Sequence, residues 1–284
     1  MSPDTGWRPK LVALDIDGTL FNAGHGQATY TVQEEISPAL REAIDRVIDA
    51  GVHVVLASGR STFGITGVLD LLDLPRSDDQ QALTVASNGS VTFSYRPVEV
   101  LTTVTFDASE IVRLLLEHVP TALVAVEEIG VGYRVNRHFP EGEITGEMKL
   151  ESVDELIAEP VTRVIIRDPH ASEQDFVDLA EKVGLHGINY FIGWTAWLDL
   201  APRGITKASG LETVCARLGV ESSDACPIAT PRPAHWSISM SLRPSPIAST
   251  SSAVEPSRET TCARPLALET PLGARSSQAV QPMK

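Results

Sequence analysis

Lys10-Leu11-Val12-Ala13-Leu14-Asp15-Ile16-Asp17-Gly18-Thr19-Leu20 decides how the rest of this chain is read. An apolar, strand-like run ends in two acids one residue apart, and a glycine follows where the backbone must turn sharply. Side chains alternate along a strand, so Asp15 and Asp17 leave its carboxyl end on the same side and Ile16 turns back toward the core. Two carboxylates held together at a strand tip can bind a hard cation, or can pair a nucleophile with an acid/base group. A plain surface turn is the third option. A helix-flanked calcium loop is excluded, because it needs an entering helix and a glutamate at its twelfth position, whereas a strand enters here and position twelve is Gly26.

Length and composition narrow the choice. With 284 residues and 43% hydrophobic content the chain can bury one large or two modest cores. No run approaches the roughly 18 apolar residues of a membrane span. The opening Met1-Ser2-Pro3-Asp4-Thr5-Gly6 lacks the basic-then-apolar pattern of a secretory signal, so a cytoplasmic address is expected. A net charge of −14 argues against nucleic acid and anionic membranes as partners. Cys215, Cys226 and Cys262 are too few and too scattered for a disulfide framework or a zinc site. The seven histidines show no ligand-like spacing.

Working outward from the first strand, Ser37-Pro38 reads as a helix start, with serine as N-cap and proline at the first helical position. Leu40, Ile44, Val47 and Ile48 repeat at helical spacing until Gly51. Val52–Ala57 is then a second buried strand, which completes a βαβ unit with parallel strands. It ends in Ser58-Gly59-Arg60, so a hydroxyl and exposed amides emerge at the same sheet edge as Asp15, beside the start of the next helix. Amides at such an edge favour phosphate. A third strand, Leu83–Ser87, runs into Asn88-Gly89, which reads as a hairpin turn toward Ser90-Val91-Thr92-Phe93.

From there the parallel alternation stops. Strands at Val98–Phe106, Leu123–Val126, Tyr133–Val135 and Val161–Arg167, with helices near Ser109–His118, Val153–Ile157 and Ser172–Val183, suit an α+β domain inserted into the first. The core is expected to resume at Trp197–Pro202. Thr206-Lys207 then opens a helix that carries Leu211, Val214, Cys215 and Leu218 on one side and closes at Gly219. A lysine in a first helical turn opposes the helix dipole, which hints at a functional role for Lys207.

Three features therefore fall in order: Asp15-Ile16-Asp17-Gly18-Thr19-Leu20, Ser58-Gly59-Arg60, and Lys207 after an insertion. This set resembles the haloacid dehalogenase (HAD) superfamily, and specifically its Cof-like branch. Ala86-Ser87-Asn88-Gly89 and Pro202-Arg203-Gly204-Ile205-Thr206-Lys207 look like that branch too, and the resemblance covers roughly Lys10 to Asp224. It implies an α/β fold: a Rossmann-like parallel-sheet core at 1–90 and 198–224, with an inserted α+β cap at 91–197. It also implies a phosphatase acting on a small phosphorylated metabolite, such as a sugar phosphate. Asp15 would be the nucleophile that forms an aspartyl-phosphate, and Asp17 the acid/base. A Mg2+ ion would lie against Asp15 and the main-chain carbonyl of Asp17, so both count as metal residues. Thr19, Ser58, Gly59 and Lys207 would attend the phosphate, Lys207 balancing charge as part of the catalytic set, while Asn88 and Arg60 would face the substrate.

The resemblance also implies a strand after the lysine helix that ends in Gly-Asp, with a further aspartate completing the magnesium shell. After Asp224 the chain contains no aspartate. Residues 225–284 instead hold nine of the nineteen prolines and ten serines, with one glycine, and periodicity is lost. They read as a disordered or aberrant Pro/Ser-rich tail, or as the product of a changed reading frame. Without the last metal motif, a phospho-ligand binder with little or no turnover is the alternative to an enzyme.

Overall fold

A computed structural model describes residues 8–21, 36–77, 80–185, 188–193 and 197–228. In chain order the elements are β1 (Leu11–Leu14), α1 (Pro38–Asp49), β2 (His53–Ala57), α2 (Thr62–Leu71), β3 (Ala82–Ala86), β4 (Val91–Tyr95), β5 (Glu99–Thr103), α3 (Ser109–His118), β6 (Leu123–Glu128) and β7 (Gly132–Val135). Next come β8 (Glu147–Leu150), α4 (Val153–Leu156), β9 (Val164–Arg167), α5 (Glu173–Val183), β10 (Ile188–Gly193), β11 (Trp197–Pro202), α6 (Lys207–Leu218) and β12 (Ala225–Ile228). Among the described residues they build two six-stranded sheets, ordered β12-β1-β2-β3-β4-β5 and β10-β11-β9-β6-β7-β8.

The first sheet is parallel from β12 through β3 and antiparallel from β3 through β5. Its parallel strands β1, β2 and β3 are largely apolar on both faces because helices cover both. Val12, Leu14 and Leu56 pack with Ile44 of α1 and with Ile65, Val68 and Leu69 of α2, while Leu11, Ala13, Val55 and Val85 pack with Val214 and Cys215 of α6. Each fully buried Leu, Ile or Val contributes roughly 1.5–3 kcal/mol. Capping marks where the helices begin. Ser37 Oγ accepts from Leu40 N at 3.2 Å, and Thr206 and Ser209 form a reciprocal capping box at the start of α6. Gly219 ends α6 in the left-handed region, at φ 66°.

Strands β6–β11 form the second sheet, inserted between β5 and α6, with α3, α4 and α5 packed on it around Leu115, Leu156, Ile166 and Phe176. Two boundaries differ from the sequence reading. β4 and β5 belong to the first sheet, because the Asn88-Gly89 turn folds β4 back on β3 and β5 pairs onward from β4. Trp197–Pro202, expected to resume the core, instead pairs with β9 and β10 in the second sheet, and the chain re-enters the first unit only at α6.

A third difference concerns Ala225–Ile228, which the sequence reading placed in the tail. These residues form β12, in parallel register with Leu11–Leu14, and Asp15 N donates to Ile228 O at 3.0 Å. Pro227 hides this strand from pattern reading, yet proline is tolerated where a strand lies at a sheet edge, as β12 does among the described residues. The rest of the expected tail and any change of reading frame beyond Ile228 lie outside the described residues. No described helix is long and apolar enough to cross a membrane.

Candidate active site

β1 and β2 run side by side, so the residues just past their carboxyl ends leave the sheet at one edge. Asp15 comes first, 8% exposed, and its Oδ1 accepts from Ile16 N at 2.9 Å. The same oxygen accepts from Lys207 Nζ at 2.7 Å. The unfavourable position of a lysine at the start of α6 thus has a local explanation: its ammonium lies against a carboxylate at the tip of β1. Gly18, at φ 80°, lets the chain double back, with Gly18 N donating to Phe21 O and Thr19 N to Ile16 O. This tight turn is where Thr19 lies, while Asp17 projects toward the loop after β2.

There Arg60 meets Asp17. Its Nε approaches both carboxylate oxygens at 3.2 Å and its Nη2 donates to Oδ1 at 2.8 Å, while the guanidinium lies 5.6 Å from the Phe21 ring centre. The Asp17 side chain is about one-third exposed, at 31%. Ser58 is wholly buried, and its Oγ accepts from Arg60 N at 3.1 Å, which leaves the hydroxyl hydrogen to donate. Gly59 is required by closeness: a Cβ there would come within 2.9 Å of Asn88 Oδ1. The Asn88 carboxamide thus covers the Ser58–Arg60 loop.

The turn beneath that loop is backbone-strained. Ser87 and Asn88 have φ of 49° and 55°, and Gly89 has 103°. Ser87 N donates to Arg60 O at 2.9 Å and Asn88 N to Ser58 O at 3.1 Å. A Cβ on Gly89 would sit 2.0 Å from Thr206 O, so the same turn also abuts the residue that starts the Lys207 helix. One turn therefore supports both the Ser58 loop and Lys207.

The structure brings Asp15, Asp17, Thr19, Ser58, Gly59, Arg60, Asn88 and Lys207 to one edge of the first sheet. What sequence reading missed is Glu127 at the end of β6, 7% exposed. Its Oε1 accepts from Thr62 N, the first amide of α2, at 2.8 Å, and its Oε2 accepts from Ser87 Oγ. The start of α2, beside the edge amides expected to favour phosphate, is thus already occupied by a carboxylate of the second sheet. Beside it, burial pushes the Tyr133 hydroxyl up. Arg163 donates to Tyr133 and is paired with Asp199, whose carboxyl is likewise pushed up by burial.

Asp15 and Asp17 offer oxygen donors, the type that a hard cation takes. Among the described residues no three His, Cys, Asp or Glu side chains converge. Magnesium commonly takes one or two carboxylates and completes its octahedron with phosphate oxygens and water, and a strand-tip carboxylate beside the Asp17 carbonyl fits that habit.

Residues 12–228 match the family described as haloacid dehalogenase-like hydrolase. The 5-amino-6-(5-phospho-D-ribitylamino)uracil phosphatase YwtE of Bacillus subtilis (strain 168) is 42% identical over 66 residues, 23% of this chain and only 20% of that protein. The candidate phosphatase M6_Spy0533 of Streptococcus pyogenes serotype M6 is 25% identical over 231 residues, 77% of this chain and 80% of that one. The solved structure of the HAD subclass IIB sugar phosphatase BT4131 superposes with a TM-score of 0.58 at 15% identity, over 77% of this chain and 79% of that chain, a likeness of fold.

Proposed function

We propose that this chain, which belongs to the haloacid dehalogenase-like hydrolase family, is a magnesium-dependent phosphatase for a small phosphorylated metabolite such as a sugar phosphate, with the inserted α+β unit as its cap. The observation that carries this reading is the meeting of Asp15 with Lys207 beside Asp17, Ser58 and Arg60. The phosphatase and sugar phosphatase among its relatives support the substrate class.

A nucleophile for a phosphate dianion must not be repelled by it, and the leaving alkoxide needs a proton. A carboxylate oxygen of Asp15 attacks phosphorus, the bond from phosphorus to the leaving oxygen breaks, and that oxygen takes its proton from Asp17. Asp17, now a carboxylate, then takes a proton from water as the water oxygen attacks the phosphorus of the aspartyl-phosphate. Inorganic phosphate leaves and Asp15 is restored. Lys207 balances charge on the transferring group, and Ser58 Oγ and the Gly59 amide donate to its oxygens, with Thr19 holding the turn. Asp15 and the Asp17 main-chain carbonyl would hold magnesium, which would supply further charge neutralisation. Arg60, which is forked to Asp17, faces the substrate alongside Asn88.

Hydrolysis of 4-nitrophenyl phosphate by the purified chain, with and without magnesium, tests this reading. Magnesium-dependent turnover supports it. A chain that binds inorganic phosphate without turnover points instead to a phospho-ligand binder, the reading favoured by the lack of any aspartate after Asp224.

A further inference from the structure

Glu127 is a buried carboxylate that the proposed chemistry does not use, and its two bonds cross from the second sheet to the first unit. Oε1 takes the first amide of α2 at 2.8 Å, the helix that begins two residues after Arg60. Oε2 takes the hydroxyl of Ser87, whose own amide donates to Arg60 O. Tyr133, whose hydroxyl accepts from Arg163, pairs with Glu127 across β6 and β7. A single side chain of the inserted unit therefore holds Thr62 directly and Arg60 through Ser87.

The turn that Glu127 grips is also the turn that positions the phosphate groups. Ser87 and Asn88 hold left-handed backbone conformations that L-residues adopt at a cost, so they persist only while their surroundings enforce them. Gly210 presses α6 onto this turn, where a Cβ would meet Gly89 Cα at 3.1 Å and Val85 Cγ1 at 2.5 Å. Relaxation of Ser87 would be transmitted to Ser58 through Asn88 N, and to Lys207 through the contact of Gly89 with Thr206.

We infer that Glu127 is a positioning residue that seats the inserted unit on the core and, through Ser87, holds the Ser58–Arg60 loop and Lys207 in register for a phosphoryl group. This inference rests on the function proposed above. It ties phosphate affinity to the two bonds of Glu127, which hold Thr62 and Ser87 in place.

Binding of inorganic phosphate, followed by 31P NMR titration in magnesium buffer, separates this role from a purely structural one. Glu127→Ala is expected to raise the Kd by about tenfold or more, since small misplacements of binding groups are costly, and Ser87→Ala by about threefold. Leu179→Ala makes a cavity in the core of the inserted unit, so it is expected to lower the melting temperature while leaving the Kd within about twofold. Unchanged affinity in both Glu127→Ala and Ser87→Ala overturns the inference while leaving the phosphatase reading intact. Should Glu127→Ala fail to fold, Ser87→Ala alone decides, because it removes the hydroxyl end of the same bond. A loss of affinity in Leu179→Ala as large as in the other variants also overturns it. Wild-type protein that binds no phosphate removes the proposed function and the inference together.

Discussion

Lys207 Nζ lies 2.7 Å from Asp15 Oδ1 across 192 residues of sequence, so the start of α6 and the tip of β1 are joined by charge as well as by packing. The ammonium sits where the helix dipole disfavours it, and the carboxylate offsets that cost. Replacing Lys207 with Met keeps the length of the side chain and removes the cation. Turnover of an aryl phosphate is expected to fall by roughly 10²–10³, in line with the loss of one preorganised charge-stabilising group. Steady-state kinetics check this, and a variant with wild-type kcat would remove Lys207 from the catalytic set.

Arg60 binds Asp17 through two nitrogens, a geometry that lysine cannot copy. Arg60→Lys keeps the charge and loses the fork. The expected outcome is a rise in KM with a smaller change in kcat, because the account gives Arg60 to substrate binding and Asp17 to proton transfer. A kcat that collapses while KM holds would reverse the two roles.

Gly89 has both a left-handed φ of 103° and no room for a side chain. Gly89→Ala is therefore expected to destabilise the chain by about 2–4 kcal/mol, as strain and a clash with Thr206 O add together. Urea denaturation measures it. A loss below about 0.5 kcal/mol, the range of ordinary surface substitutions, would mean that the turn and the start of α6 are not in contact.

Acid should weaken the inserted unit at a defined place. Asp175 accepts from both the backbone and the hydroxyl of Ser172 at the start of α5, and these bonds hold its carboxyl below its ordinary value of 3.8. A depressed folded value means that the stabilisation is present above 3.8 and is lost as the pH falls through the lower folded value. Asp175→Asn should thus lower the melting temperature at pH 7, and the difference from wild type should shrink toward zero as the pH is taken well below 3.8. A difference that stays constant with pH would contradict the bond.

The legible parts of this fold are those fixed locally. Ser37, Gly51, Thr206 and Gly219 announce the ends of α1 and α6 because caps and left-handed positions accept few residue types. Asp15, Asp17 and Ser58 are legible because strand periodicity puts the residues just past β1 and β2 at one edge, and Lys207 because it opens a helix against the helix dipole. Which sheet a strand joins is a different matter. β4, β5 and β11 carry ordinary strand patterns, and their partners are set by long-range pairing that no local pattern records. β8 and β10 escape notice for the same reason. β12 is hidden by Pro227 and by the Pro/Ser-rich composition of the residues after Ile228. Glu127 ends the apolar run Leu123–Val126, where a carboxylate reads as a solvent-facing strand end, and only the docking of the second sheet on Thr62 and Ser87 buries it.

The central claim is that Asp15 takes the phosphoryl group, and mass spectrometry of acid-quenched Asp17→Asn with 4-nitrophenyl phosphate tests it most directly. Nitrophenolate leaves without a proton, so the first half-reaction proceeds, whereas hydrolysis of the intermediate stalls without the Asp17 base. The account predicts a phosphoryl group on the peptide that contains Asp15, absent when Asp15→Asn is added. An Asp17→Asn protein that releases nitrophenol yet carries no phosphoryl group on that peptide would contradict it.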